Sequence, residues 1–154
     1  MTGDPTDTAG SVFVRGMLAE DIPALARLYK QFWGEDSDVG RMAQQLQRMQ
    51  ELGTHTLLCA VEGDRLLGSV MGIWCEELYG DCRPFMVLEN MIVDGAARKR
   101  GIGGQLIAAL EEEARARGCT QVLLVTEADR ADACSFYASA GYAADTHRGF
   151  KKKL

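Results

Sequence analysis

Val93-Asp94-Gly95-Ala96-Ala97-Arg98-Lys99-Arg100-Gly101-Ile102-Gly103-Gly104 is the stretch on which the reading of this chain turns. It follows a β-prone run, Phe85-Met86-Val87-Leu88-Glu89-Asn90-Met91-Ile92-Val93. It precedes a helical stripe in which Ile102, Leu106, Leu110 and Ala114 fall four apart, ending at Gly118. The order is strand, glycine-rich turn, helix. The first turn of a helix has unpaired N–H groups and the positive end of the macrodipole, so it suits an anion such as phosphate. Gly101, Gly103 and Gly104 leave those amides unshielded, and Arg98, Lys99 and Arg100 add positive charge. A second reading stays open on spacing alone: glycines that merely start a helix, beside a solvated basic loop. The P-loop pattern is not matched, and Leu106 stands where a dinucleotide-binding fingerprint needs its third glycine.

The three consecutive cations stand out because the chain is acidic, with a formal net charge of -5. That charge argues against nonspecific nucleic-acid binding, which relies on a basic surface. A length of 154 residues with 47% hydrophobic and 25% charged residues fits one globular domain, expected over 12–154. No run approaches the ~20 apolar residues of a membrane span. Residues 1–11, rich in Gly, Thr and Asp, read as a disordered tail without a secretion leader. Cys59, Cys75, Cys82, Cys119 and Cys134 are odd in number and contain no C-x-x-C pair. They are expected to be free thiols in a reducing, cytoplasmic setting. The two histidines, His55 and His147, lie far apart, so no metal site is expected.

Working outward, Val12 to Arg15 is a short β-prone run. Ile22, Leu25, Leu28, Tyr29 and Phe32 predict a helix near 20–33, and a weaker one follows from Val39 to Leu52, closed by Gly53. Thr56–Val61 and Leu66–Trp74 flank Glu62-Gly63-Asp64-Arg65 as a hairpin. Gln121–Thr126 reads as a strand buried on both faces. Ala131 to Ala140 reads as a helix, and Tyr142 to Leu154 as one or two closing strands. Antiparallel strands come first and a βαβ-like unit later, which implies an α+β fold with a mixed sheet.

With the turn placed between strand and helix, Arg98-Lys99-Arg100-Gly101-Ile102-Gly103 resembles the R/Q-x-x-G-x-G/A signature of the GNAT superfamily of N-acetyltransferases. Arg130-Ala131-Asp132-Ala133-Cys134-Ser135-Phe136-Tyr137 followed by Gly141-Tyr142 is similar to that family's second signature. Gly95 departs from the pattern, since many members carry proline there. The resemblance covers about Val12 to Leu154. It implies a mixed central sheet of six to seven strands flanked by about four helices, and acetyl-CoA as co-substrate with no metal. It implies that the backbone from Arg98 through Gly104 cradles the pyrophosphate, and that Met91, Ile92 and Val93 pair with the pantetheine arm. A main-chain N–H there, that of Met91, would polarise the thioester carbonyl. Arg130, Ala133 and Phe136, on the second signature, complete the cofactor-binding set.

By the same resemblance Tyr137 is the candidate acid that protonates the departing thiolate; the alternative is a core tyrosine. Glu89 is the candidate general base, because desolvation of a carboxylate in an apolar strand favours its protonated form. A structural or acceptor-binding role for Glu89 stays open. Acceptor choice would fall to the loops 33–38 and 76–84, whose acids and aromatics suit a cationic amine. His147 and Phe150 precede the basic end Lys151-Lys152-Lys153-Leu154. The resemblance therefore implies transfer of acetyl to a primary amine of a small molecule. Alternatives are a protein lysine or N-terminus as acceptor, or a CoA-binding regulatory module without catalysis. A homodimer is expected by family analogy only.

Overall fold

The computed structural model describes residues 10–154. Its sheet has five strands in the order β1-β2-β3-β4-β5. They are β1 Phe13–Gly16, β2 His55–Glu62, β3 Arg65–Cys75, β4 Phe85–Val93 and β5 Val122–Leu123. β1 to β4 run antiparallel to their neighbours, and β5 pairs with β4 in parallel. The sheet is therefore mixed. Helices α1 Ile22–Trp33, α2 Val39–Leu52, α3 Ile102–Ala116 and α4 Ala131–Ser139 surround it, with 3-10 turns at Ala19–Asp21 and Gly95–Ala97.

Local chemistry explains the elements. Asp38 caps α2 by accepting the Arg41 N–H at 3.0 Å, and the chain leaves that helix through Gly53 in the left-handed region. α1 buries Ile22, Leu25 and Leu28, one stripe at helical spacing. Each such side chain contributes about 1.5–3 kcal/mol, so a helix of this length is held by its face more than by propensity. The entry to α1 is fixed by a polar knot. Arg15 donates to both carboxylate oxygens of Asp21, at 2.6 and 2.9 Å, and Leu18 N–H donates to the same carboxylate. That guanidinium holds the Asp21 carboxyl below the usual range. Cys59 lies against the pair with no exposure, and burial pushes its thiol up to about 11.

The sheet separates two apolar clusters. β2 alternates cleanly: Leu58 and Ala60 face α3, while Cys59 and Val61 face α1 and α2. β4 starts the same way, with Met86 and Leu88 toward α3. Its register against β3 then slips by one residue: Met71 opposes Glu89, whereas Ser69 opposes Ile92. The extra residue is a β-bulge at Asn90, whose φ of 49° is left-handed. Beyond it the facing is reset, so that Met91 and Val93 pack toward α3 and Ile92 toward α1. β5 meets β4 only at Met86 and Val87, before the bulge. The remaining edge of β4 is left open.

Three expectations are corrected. The sheet has five strands, not six to seven. Residues 143–154 form no strand and are exposed throughout, because their polar and basic run offers no face to bury. The strand expected at Gln121–Thr126 shrinks to Val122–Leu123, and it is not covered on both sides: Leu123 is 44% and Val125 70% exposed. The tail expected over residues 1–11 falls, up to residue 9, outside the described residues. The helices lie where periodicity places them, with boundaries moved by one or two residues.

These two environments separate in a stability experiment. Leu110 has no exposure, and Leu110→Ala is expected to cost about 2–5 kcal/mol in urea unfolding. Leu123→Ser on the open face is expected to change stability by no more than about 0.5 kcal/mol.

Candidate functional site

Where β4 loses its neighbour, the structure opens a cleft of about 450 Å³. Met91, Ile92 and Val93 form one side. Arg98, Lys99, Gly101, Ile102, Gly103 and Gly104 form the end at the α3 N-terminus. Arg130, Asp132, Ala133, Phe136 and Tyr137 face them from α4 and the residue before it, and Phe32 reaches in from α1. Two segments far apart in sequence, 91–104 and 130–137, are thus brought together.

The α3 end of the cleft is built from backbone. Asp94 accepts the Ala96 N–H at 3.0 Å and sets the 3-10 turn that carries the chain out of β4. Lys99, at φ 63°, and Gly101, at φ 75°, both lie in the left-handed region and turn the chain into α3. Within that first turn Gln105 N–H returns to the Gly101 carbonyl at 3.1 Å. The N–H groups of Ile102, Gly103 and Gly104 precede this first helical bond and sit at the positive end of the macrodipole. A Cβ on Gly103 would sit 3.0 Å from Phe136 Cζ and 3.2 Å from Met91 Cε. Glycine there lets α4 approach α3 and sets the width of the cleft.

The three cations part company. Arg98 and Lys99 line the cleft. The Arg100 side chain instead turns to the β2–β3 hairpin, where its guanidinium meets Glu62 at 2.5 Å, and it is not among the lining residues. Arg100 fastens the turn to the sheet while its neighbours face the ligand space. Gly95, where proline is common in the family, uses the N–H that proline lacks: it donates to Gln31 Oε1 across 3.4 Å.

Tyr137 is half-buried in the cleft wall. Burial pushes its hydroxyl above the ordinary tyrosine range, partly opposed by Arg130. Its ring meets Phe136 at 5.3 Å and Tyr142 at 6.0 Å, both edge-on. Glu89 does not line the cleft. It precedes the bulge, so it points to the α1 side of β4, half-buried and accepting no hydrogen bond from the described residues. His147 is exposed, with Nδ1 2.9 Å from Thr146 Oγ1.

Phe32, Ala97 and Asp132 line the cleft without having been singled out in the sequence. Phe32 lies on the apolar stripe of α1 and carries no local sign that this helix ends over the cleft; only tertiary packing shows it. Among the described residues no group of three or more His, Cys, Asp or Glu is placed to hold a metal ion.

Residues 22–142 match the model of the family described as Acetyltransferase (GNAT) family. A stretch of 55 residues is 38% identical to glucosamine 6-phosphate N-acetyltransferase 1 of Oryza sativa subsp. japonica, covering 36% of this chain and 32% of that protein. The match thus spans about a third of that relative's length. The fold is also similar to the solved structure of a putative acetyltransferase from Agrobacterium tumefaciens str. C58. There the TM-score is 0.85, with 23% identity over 92% of this chain and 99% of the other. A further similar structure is an aminoglycoside acetyltransferase from an uncultured soil metagenomic sample, in complex with sisomicin. It gives a TM-score of 0.78 and 19% identity over 93% of this chain and 96% of that one.

One feature behind the cleft wall, where Tyr142 packs against Tyr137, can be tested without a ligand. The Tyr142 hydroxyl is buried with no hydrogen-bond partner among the described residues, although Glu111 lies near enough to help burial raise its pKa. Removing an unsatisfied buried group relieves its desolvation cost. Tyr142→Phe is therefore expected to leave stability unchanged or raise it by about 1 kcal/mol in urea unfolding. A loss of stability would mean that the hydroxyl is bonded.

Proposed function

Since the chain belongs to the GNAT acetyltransferase family, we propose that its cleft takes acetyl-CoA and that it transfers the acetyl group to a primary amine of a small molecule. The observation that carries this reading is the join of an anion-binding helix start to an open strand edge, with a tyrosine hydroxyl on the opposite wall. A pyrophosphate fits the amides of Ile102, Gly103 and Gly104 with Arg98 and Lys99 beside them. The open edge at Met91–Val93 offers main-chain groups to the pantetheine amides, as an added strand would.

Acetyl-CoA supplies an activated acyl group, whose carbonyl carbon bonds to the amine nitrogen as the carbon–sulfur bond breaks. The chain's own part is positioning and proton management. Asn90 and Met91 have no partners in the register of β3. An N–H of this bulge, that of Met91, is the donor we assign to the carbonyl oxygen as negative charge develops on it. Tyr137 gives its proton to the departing sulfur. A phenol whose pKa is raised by burial stays protonated at neutral pH, as that role requires. The amine must shed a proton, and Glu89, reached through water from the α1 side of β4, is the base we assign.

The small-molecule acceptor is favoured by the relatives. The rice protein's name and the sisomicin complex both concern amine-bearing sugars. The wall that meets the acceptor also has exposed aromatic surface, with Trp33 50% exposed at the end of α1.

The test is release of free CoA thiol on a panel of amino sugars, aminoglycosides, polyamines and lysine peptides. Turnover with small amines supports the reading; turnover confined to peptides points to a protein acceptor. Acetyl-CoA binding without turnover on any acceptor points to a regulatory module. Gly103→Leu, which drives a side chain into Phe136, is expected to abolish acetyl-CoA binding in a folded protein.

Tyr137→Phe is expected to lower kcat by about 10²-fold or more, the usual worth of a general acid. The group is active when protonated and its pKa is raised, so wild-type kcat should fall only above pH ~10, the ordinary tyrosine value. Tyr137→Phe should lack that alkaline limb, as a pH–kcat profile would show.

A further inference from the structure

The last turn of α1 reaches both walls of the cleft. Gln31 takes the Gly95 N–H just ahead of the anion turn. The next residue, Phe32, lies in the cleft and carries the Arg130 guanidinium 4.6 Å from its ring centroid. Phe32 is braced in turn by Trp33, edge-on at 5.0 Å, and Trp33 by Tyr29 at 5.0 Å. Arg130 is the N-cap residue of α4, and it makes no ion pair among the described residues despite Asp129 and Asp132 beside it in sequence. Its contact across the cleft is with the aromatic face of Phe32. A guanidinium held over a ring and engaged in no ion pair has N–H groups left to donate.

We propose that Phe32 is a donor-positioning residue: its ring holds the Arg130 guanidinium across the cleft, where the N–H edge meets the amide carbonyls of the pantetheine arm. This assignment rests on the reading of the cleft as the acetyl-CoA channel. It ties donor binding to α1, an element outside both glycine-turn and tyrosine signatures. It also joins the donor channel to the loop 34–38 that follows α1, so that the acceptor side and the donor side share one strap.

The experiment is calorimetric titration of acetyl-CoA into the full chain, with steady-state kinetics on the amine that the panel identifies. Phe32→Leu keeps apolar bulk and removes the ring face, and is expected to weaken acetyl-CoA about 2- to 5-fold, the worth of ~0.5–1 kcal/mol. KM for acetyl-CoA should rise by the same factor, and by more than kcat falls. Phe32→Tyr should restore wild-type binding. Arg130→Gln, which removes the guanidinium and keeps the Phe32 ring, should weaken binding at least as much. In that background Phe32→Leu should add nothing further.

Wild-type affinity in Phe32→Leu, binding by Phe32→Tyr as weak as by Phe32→Leu, or full additivity with Arg130→Gln would overturn the strap. In each of those cases acetyl-CoA still binds the wild type, so the proposed function stands. Failure of the wild type to bind acetyl-CoA would instead overturn both.

Discussion

The extra residue in β4 is the constraint on which the site depends. A strand paired regularly on both edges would leave no groove, and its facing would continue unchanged to its end. Asn90, held left-handed, puts two residues of β4 opposite one of β3. This resets the facing, so Met91 and Val93 look toward α3 while Glu89, just before the bulge, looks toward α1. A bulged strand bends, and β5 follows β4 only as far as Val87. The cleft is the space left when the two strands part. Backbone polar groups on that open edge lack a strand partner, and a ligand that brings its own amides supplies one.

The same parting divides the work of the site between elements. The α3 N-terminus contributes amides and a dipole, whose position is fixed by Asp94, by Glu62 on Arg100 and by the close contact of Gly103 with Phe136. α4 contributes Tyr137 from the facing wall, in partly desolvated surroundings that keep its proton on. α1 contributes Phe32, whose ring lies against the Arg130 guanidinium. The α3 end of the cleft carries two cations, Arg98 and Lys99, while the facing wall sets Arg130 and Asp132 among the aromatic rings of Phe32, Phe136 and Tyr137. Glu89 lies outside the cleft lining, yet its charge reaches Tyr137 and helps raise that hydroxyl's pKa.

Much of this was legible in the sequence, for physical reasons that differ by element. The stripes Ile22-Leu25-Leu28 and Ile102-Leu106-Leu110-Ala114 announce helices because one face of each must be buried. The glycine-rich turn announces a helix start with bare amides, and Arg98, Lys99 and Gly101 to Gly104 do line the cleft there. What failed was the edge of the sheet. Gln121–Thr126 is apolar enough to read as a central strand, yet composition does not say whether a further strand will cover it; here none of 143–154 does, and Leu123 and Val125 stay open. Arg100 read as one of three equivalent cations, and only the placement of the β2–β3 hairpin shows that Glu62 claims it. Phe32 was hidden for a related cause. An aromatic on a helix stripe looks like core until the neighbouring helix is placed.

Proton–nitrogen correlation spectra of the labelled chain test directly whether main-chain amides of the α3 start hold the pyrophosphate. On titration with coenzyme A the amide signals of Ile102, Gly103 and Gly104 should shift to saturation. With pantetheine, which lacks the pyrophosphate, shifts should be confined to the β4 edge and the α4 wall. Silence of those three amides at saturating coenzyme A, with shifts elsewhere, would contradict it.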